Sequence, residues 1–227
     1  MTKDYLSVEY GESSKPFTSY PEKFANYLVE ILHIKQGSQI LEVGAGRCEM
    51  AKAFLSAGMN VMVTDSSPLL EKYATESGLD FSISKYDSGQ EFSPFPNVVF
   101  DVIFTKSFVE HIPDPVDFAL KMKTKLKPGG LLVTLTPDWE TNYWNFYDDL
   151  THIKPFTEVT LKNLYLYSDF EQSNVIKIRQ LPSTWHSRIM RILSKLTSVV
   201  IPTRFRTTIK WIRWSRELML VGYGTKR

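Results

Sequence analysis

A single cysteine, Cys48, stands among 227 residues. That excludes an internal disulfide framework and suits a reducing compartment. No run approaches the ~18 consecutive apolar residues of a membrane-spanning helix, and Met1-Thr2-Lys3-Asp4-Tyr5 offers no apolar signal core. The expected location is therefore cytoplasmic. There is no Gly-Lys-Ser/Thr phosphate loop. The Gly44-Ala45-Gly46 pair also lacks the third glycine of a dinucleotide fingerprint, because position 49 is Glu49. Charge of one sign is missing overall, with a net of only +2, but it is unevenly spread. Residues 188–227 hold ten Lys/Arg and one acid, Glu217, for +9, whereas residues 1–187 carry −7. Body and tail are thus expected to face different partners.

What is present is an α/β alternation. Ile40-Leu41-Glu42-Val43 is a short apolar strand carrying a carboxylate, and it breaks into the Gly-x-Gly turn before a helix over 49–57. Glycine lets the backbone turn sharply and lets a ligand lie against bare peptide groups. A pyrophosphate wants helix N–H groups and no nearby anion. Acids on this loop suit a cation instead, such as the sulfonium and ammonium of S-adenosylmethionine. A second strand, Val61-Met62-Val63, ends at Asp65, 19 residues after Gly46, where an acid can accept ribose hydroxyls. Further strands are expected over 81–87, 98–104, 131–136, 175–178 and 218–223. The stretch 126–130, Leu-Lys-Pro-Gly-Gly, reads as a helix stop and turn.

Five segments, LEVGAGRC (41–48), VMVTDSS (61–67), SKYD (84–87), FDVIFTKSFVEHIPDP (100–115) and LKPGGLLVTLTP (126–137), occur in order. In them the chain resembles the class I S-adenosylmethionine-dependent methyltransferases, over about residues 20–182 and again at 216–227. The resemblance implies a single Rossmann-like domain over 1–227. Its seven-stranded sheet is mostly parallel, with the seventh strand antiparallel between the fifth and sixth, and an N-terminal arm covers 1–19. It further implies that Gly44, Ala45 and Gly46 approach the cofactor by backbone and that Glu42 lies near its methionine end. Asp65 with Ser66 would serve the ribose, Asp87 the adenine amino group, and Thr105 and Lys106 the methionine portion. Cys48 departs from the family's common third glycine. The absence of Asn/Asp-Pro-Pro-Tyr at 105–108 argues against methylation of nucleic-acid bases.

Methyl transfer to a hydroxyl needs in-line geometry and removal of a proton. His111, in a Glu-His-x-Pro-Asp-Pro phrase, and His152 are the candidate bases, with Asp149 a carboxylate that orients the latter. The phrase Asp148-Asp149-x-Thr151-His152-x-x-Pro155-Phe156-Thr157 resembles methyltransferases of cell-surface polysaccharide and glycan pathways. Asp148, Asp149 and His152 make only a weak metal-ligand set, and no metal is expected. Aromatics at 139–147 fit an acceptor pocket. The implied reaction is O-methylation of a sugar or a glycan or lipid-linked intermediate. A quinone-precursor-like small metabolite, or a cofactor-binding, membrane-peripheral protein without catalysis, remains open.

Residues 183–215 form a basic amphipathic insertion between strands six and seven, interrupted at Pro202. Arg188, Arg191 and Lys195 fall on one side and Ile189, Leu193, Leu196 and Val200 on another. Arg206, Lys210 and Arg213 repeat the design beside Trp211 and Trp214. Packing on the core and lying on an anionic membrane both fit this pattern. Nucleic acid is not expected, because no known RNA-binding pattern accompanies the charge. The lysines at 121, 123, 125 and 127 are expected on a solvated face.

Overall fold

A computed structural model describes residues 4–10, 18–201, 203–205 and 207–227. Pro202 and Arg206, part of the expected insertion pattern, lie outside the described residues, as do residues 1–3 and 11–17 of the expected arm. The elements run α1 (Tyr5–Tyr10), α2 (Tyr20–Ile31), β1 (Gln39–Val43), α3 (Glu49–Ser56), β2 (Asn60–Asp65), α4 (Leu70–Thr75) and β3 (Asp80–Ile83). There follow β4 (Phe100–Lys106), α5 (Pro115–Lys125), β5 (Leu126–Pro137), α6 (Trp139–Asn142), α7 (Glu158–Tyr167) and β6 (Glu171–Arg179). The last are α8 (Ser183–His186), α9 (Arg188–Val200), α10 (Lys210–Arg216) and β7 (Leu218–Thr225). The seven strands are ordered β3-β2-β1-β4-β5-β7-β6. Pairs β1–β2, β1–β4 and β2–β3 are parallel and β6–β7 is antiparallel, as the family resemblance implies.

The chain divides into two compact units. The first comprises the described residues within 1–105, 120–132 and 226. Its strands read as near-continuous apolar runs because both faces are covered. Ile40, Leu41, Val43, Val63, Phe100 and Ile103 are buried, beneath Phe24 and Leu28 of α2 and Phe54 of α3. Phe54 meets Phe104 edge-on at 5.1 Å, and each such side chain contributes about 1.5–3 kcal/mol of burial. The second unit comprises the described residues within 106–119, 133–225 and 227. There Tyr165 of α7 is fully buried against β7, where a Cβ on Gly222 or Gly224 would stand 2.7 Å from its ring. Thr157 caps α7 in a reciprocal pair with Thr160, and Glu158 lies in the first turn.

Several expectations need correction. The third strand stops at Ile83, short of Asp87. The fifth begins at Leu126, so the Lys-Pro-Gly-Gly run is already strand: Gly129 N–H donates to Lys226 O and Lys226 N–H to Gly130 O, each at 2.9 Å. Lys125 is buried, with Nζ donating to Pro96 O at 2.8 Å, and Lys127 Nζ is held by Asp101 at 2.8 Å. That lysine run is therefore not uniformly solvated. Residues 5–10 of the expected arm are helical. The aromatic stretch at 139–147 includes α6 and the start of a 3-10 turn at Phe146–Asp148.

Candidate functional site

In the first unit the strand order reverses between β1 and β4, and ligands of open α/β sheets bind at the carboxyl ends of strands beside such a reversal. Gly44 N–H and Ala45 N–H both donate to Thr64 O, at 2.9 and 3.2 Å, which folds the loop over the end of β2. Gly44 and Gly46 have φ of 75° and 53°, a region costly for a side chain. Cys48 adopts the same conformation at φ 59° just ahead of α3, so it fills a glycine-like backbone position where the family commonly has glycine. Asp65 closes the turn: one carboxylate oxygen accepts Gly46 N–H and the other accepts Ser67 N–H, both at 2.9 Å. Each oxygen has a further lone pair with which to accept a hydroxyl.

Glu42 is buried in β1. Thr105 pairs in register with Val43, at the same strand end. Ser66 is exposed beside Asp65. Asp87 lies beyond β3, 3.2 Å from Lys85 Nζ, and Lys106 is half-buried in the second unit. Sequence reasoning missed the contribution of α1. Asp4 accepts from Ser67 Oγ at 2.9 Å, and Leu6 is buried, with its Cδ2 3.6 Å from where a Cβ on Gly46 would stand.

The loop's electrostatics can be read from Cys48. Burial, then Glu42 and Asp65, push its thiol up to about 12 against the opposing pull of Lys52. Burial alone disfavours charge of either sign, and the two carboxylates add a bias towards a cation such as a sulfonium.

The second unit brings together all three candidate catalytic residues. Glu110 and His111 lie in a 3-10 turn (Val109–His111) after β4, and His152 follows Asp149 by three residues. Backbone bonds tie the two segments: Ile153 N–H and Lys154 N–H both donate to Glu110 O, at 2.9 and 3.0 Å. The imidazole rings lie 4.7 Å apart, and His152 stacks on Phe146 at 4.4 Å. His152 Nδ1 faces Phe146 O at 2.5 Å and so must carry the proton, leaving Nε2, 3.7 Å from Asp149, as its basic nitrogen.

Thr151 supplies a relay that sequence reasoning did not identify. Its hydroxyl donates to Asp149 at 2.6 Å and lies 2.9 Å from His111 Nδ1. With the hydroxyl proton directed at the carboxylate, Thr151 accepts from His111 Nδ1–H, and His111 Nε2 carries the lone pair. Burial, then His152, holds His111 below the usual imidazole range, opposed by Asp149. Burial alone would raise Asp149, but the Thr151 hydrogen bonds and both histidines hold it below the usual carboxylate range. The result is a neutral imidazole backed by an ionised carboxylate. Ligand atoms of Glu110, His111 and His152 lie within 4.8 Å of one another, a spacing open to a divalent cation. This differs from the Asp148, Asp149 and His152 set considered from sequence.

Glu110, named in its motif but given no role there, is fully buried. One oxygen accepts from Thr136 Oγ1 at 2.9 Å, and the other has no hydrogen-bond partner among the described residues. Burial pushes it from 4.5 to about 7, against Thr136 and Lys106. The unfolded chain loses this proton near pH 4.5 and the folded chain near pH 7. The associated stability is therefore complete at acid pH and lost as pH rises through 7. Holding the carboxylate ionised costs about 3 kcal/mol above that point. Glu110→Gln is expected to raise Tm by about 6–12 °C at pH 8.5 and only about 2 °C at pH 5. Calorimetry at both pH values checks this, and equal shifts would refute it.

A family model described as a methyltransferase domain matches residues 18–172. A ubiquinone biosynthesis O-methyltransferase of Actinobacillus pleuropneumoniae (serotype 7) is 34% identical over 103 residues, covering 42% of this chain and 44% of that one. A protein of the same name from Roseobacter denitrificans is 29% identical over 138 residues, covering 59% and 50%. The chain thus spans about half the length of these curated relatives or less. Among solved structures, a SAM-dependent methyltransferase of Archaeoglobus fulgidus superposes with TM-score 0.64 at 19% identity, covering 98% of this chain and 100% of its own. A Haemonchus contortus phosphoethanolamine N-methyltransferase 2 in complex with S-adenosyl-L-methionine gives TM-score 0.61 at 15% identity, covering 97% and 56%. Both share the fold of this chain.

Proposed function

Because the chain belongs to the methyltransferase domain family, we propose that it transfers a methyl group from S-adenosylmethionine to a hydroxyl of a small acceptor. The observation that carries the oxygen-directed reading is the His111–Thr151–Asp149 relay. An acceptor hydroxyl must lose its proton as the oxygen attacks, and a neutral imidazole fixed in one tautomer is suited to that task. S-adenosylmethionine supplies a methyl group already activated on a sulfonium. The chain's own residues bind, orient and deprotonate. The Gly44–Gly46 backbone admits the cofactor closely, Glu42 and Asp65 favour its positive charge, and Asp65 accepts ribose hydroxyls. His111 Nε2 takes the acceptor proton, and the new imidazolium is stabilised by Asp149 through Thr151. His152, held by Phe146 O, shapes the same surface.

The acceptor proposed first is a sugar or a glycan or lipid-linked intermediate. It is supported by the Asp148–Thr157 phrase and by the exposed rings of Tyr143, Trp144 and Tyr147, on which a sugar face can stack. A phenolic quinone precursor is the second reading, supported by the names of the two relatives and equally able to stack on those rings. The test is transfer of labelled methyl from S-adenosylmethionine to two panels, nucleotide- and polyprenyl-linked sugars and prenylated catechols. Label in a sugar hydroxyl is expected. Label only in catechols would establish the second reading, and cofactor binding without transfer to either panel would sink catalysis. Turnover is expected to survive EDTA, since the imidazole acts as base without a metal. Loss on chelation and recovery with a divalent cation would instead assign the Glu110–His111–His152 trio as ligands.

A further inference from the structure

Helix α9 is built inside out. The face turned into its unit carries Met190, Ser194, Thr197 and Ser198, with Ser194 fully buried. The outward face carries Ile189, Ile192, Leu193, Leu196, Val199 and Val200, all exposed, three of them at 70% or more. At about 100° per residue these six aliphatics fill one arc of ~120°, uninterrupted by a polar side chain. Arg188, Arg191 and Lys195 form an exposed stripe along one border of that arc. The helix is held in this orientation from behind: Ser187 caps its start by accepting Met190 N–H at 3.3 Å, and Trp211 Nε1 of α10 donates to Thr197 Oγ1 at 3.3 Å. The alternative in which the aliphatic face packs on the core is therefore not what the fold adopts.

We propose that α9 is an interfacial anchor that docks this chain on an anionic lipid bilayer, with its six aliphatics immersed and the basic stripe at the headgroups. This goes beyond the methyl-transfer reading and does not depend on it. The occupant follows from charge. No Asp or Glu occurs between 183 and 216, so all the charge beside the apolar arc is cationic. A second copy docking on the same face would bring like charges together. Thirteen residues span only about 20 Å, and no helix among the described residues is long and apolar enough to cross a membrane. A helix of this kind lies in the interface plane, its apolar face ~5–10 Å deep.

The test is co-sedimentation of the full chain with vesicles of phosphatidylcholine alone or with about 30% phosphatidylglycerol. Binding is expected to be at least ~10-fold stronger on the anionic vesicles and to fall at least ~5-fold when salt is raised to about 0.5 M. Ile192→Ser with Leu196→Ser changes only exposed residues. It is expected to abolish binding while leaving circular dichroism and S-adenosylmethionine affinity unchanged. Arg191→Gln with Lys195→Gln is expected to remove the preference for anionic lipid. Wild-type protein remaining in the supernatant with both vesicles would overturn the proposal, as would full binding by the serine variant. A wild-type dimer that the serine variant dissociates would overturn it in favour of self-association. Titration with S-adenosylmethionine on the same samples keeps failure here distinct from failure of the methyltransferase reading.

Discussion

Alanine at position 65 is expected to weaken S-adenosylmethionine binding by at least about 100-fold in isothermal titration. Two losses combine. The carboxylate's acceptors for ribose hydroxyls go, and hydrogen bonds to a charged group contribute roughly 1.5–3 kcal/mol each. Gly46 N–H and Ser67 N–H also lose the acceptors that close the loop. At 1.4 kcal/mol per decade, a combined loss near 3 kcal/mol is about 100-fold. Asp65→Asn retains one acceptor oxygen and should fall between wild type and alanine. S-adenosylhomocysteine, which lacks the sulfonium charge, should show a similar ratio, because the ribose is common to both. An alanine variant that stays folded and binds within about 3-fold of wild type would show that Asp65 only shapes the turn.

His111→Ala is expected to lower kcat by about 10²–10⁴, the usual contribution of a general base, with cofactor affinity within a factor of two. His152→Ala should cost less, since its Nδ1–H is spent on the neutral carbonyl of Phe146, whereas that of His111 reaches Asp149 through Thr151. The pH profile separates base from scaffold. His111 lies below the ordinary imidazole range, so the acid limb of kcat/KM should fall below about pH 6.5. Asp149 raises His111, so Asp149→Asn should move that limb to still lower pH while lowering the maximum rate. A profile unmoved by Asp149→Asn, or His111→Ala with near-normal kcat, would remove His111 as the base.

The parts of this molecule that could be read in advance are those set by local chemistry. Gly44-Ala45-Gly46 after an apolar strand requires a turn whatever surrounds it, and the 19-residue step to Asp65 is fixed by one helix and one strand. The antiparallel β7 was anticipated through family resemblance rather than through residue pattern. What could not be read depends on groups distant in sequence. Thr151 and His111 meet across 40 residues, and nothing about a threonine in a polar loop marks it as a relay. Lys125 sits among lysines at nearly every other position, yet it alone turns in to reach the carbonyls of Phe95 and Pro96. The amphipathic period of α9 was visible, but which face the fold would claim was not. Both faces offered something to bury; the one that turns in carries Ser194 and Thr197, the latter accepting from Trp211 on the neighbouring helix.

The buried Cys48 has a practical consequence. With the thiol pushed up to about 12, the thiolate fraction near neutral pH is on the order of 10⁻⁵, and the thiolate is the species that maleimides, disulfides and peroxide attack. The wild-type chain therefore serves as its own unreactive background. A cysteine introduced at Val199 or Leu196 can be labelled with a spin probe or a fluorophore without first removing the native thiol, and the probe's depth in a bilayer can be measured on an otherwise unaltered protein.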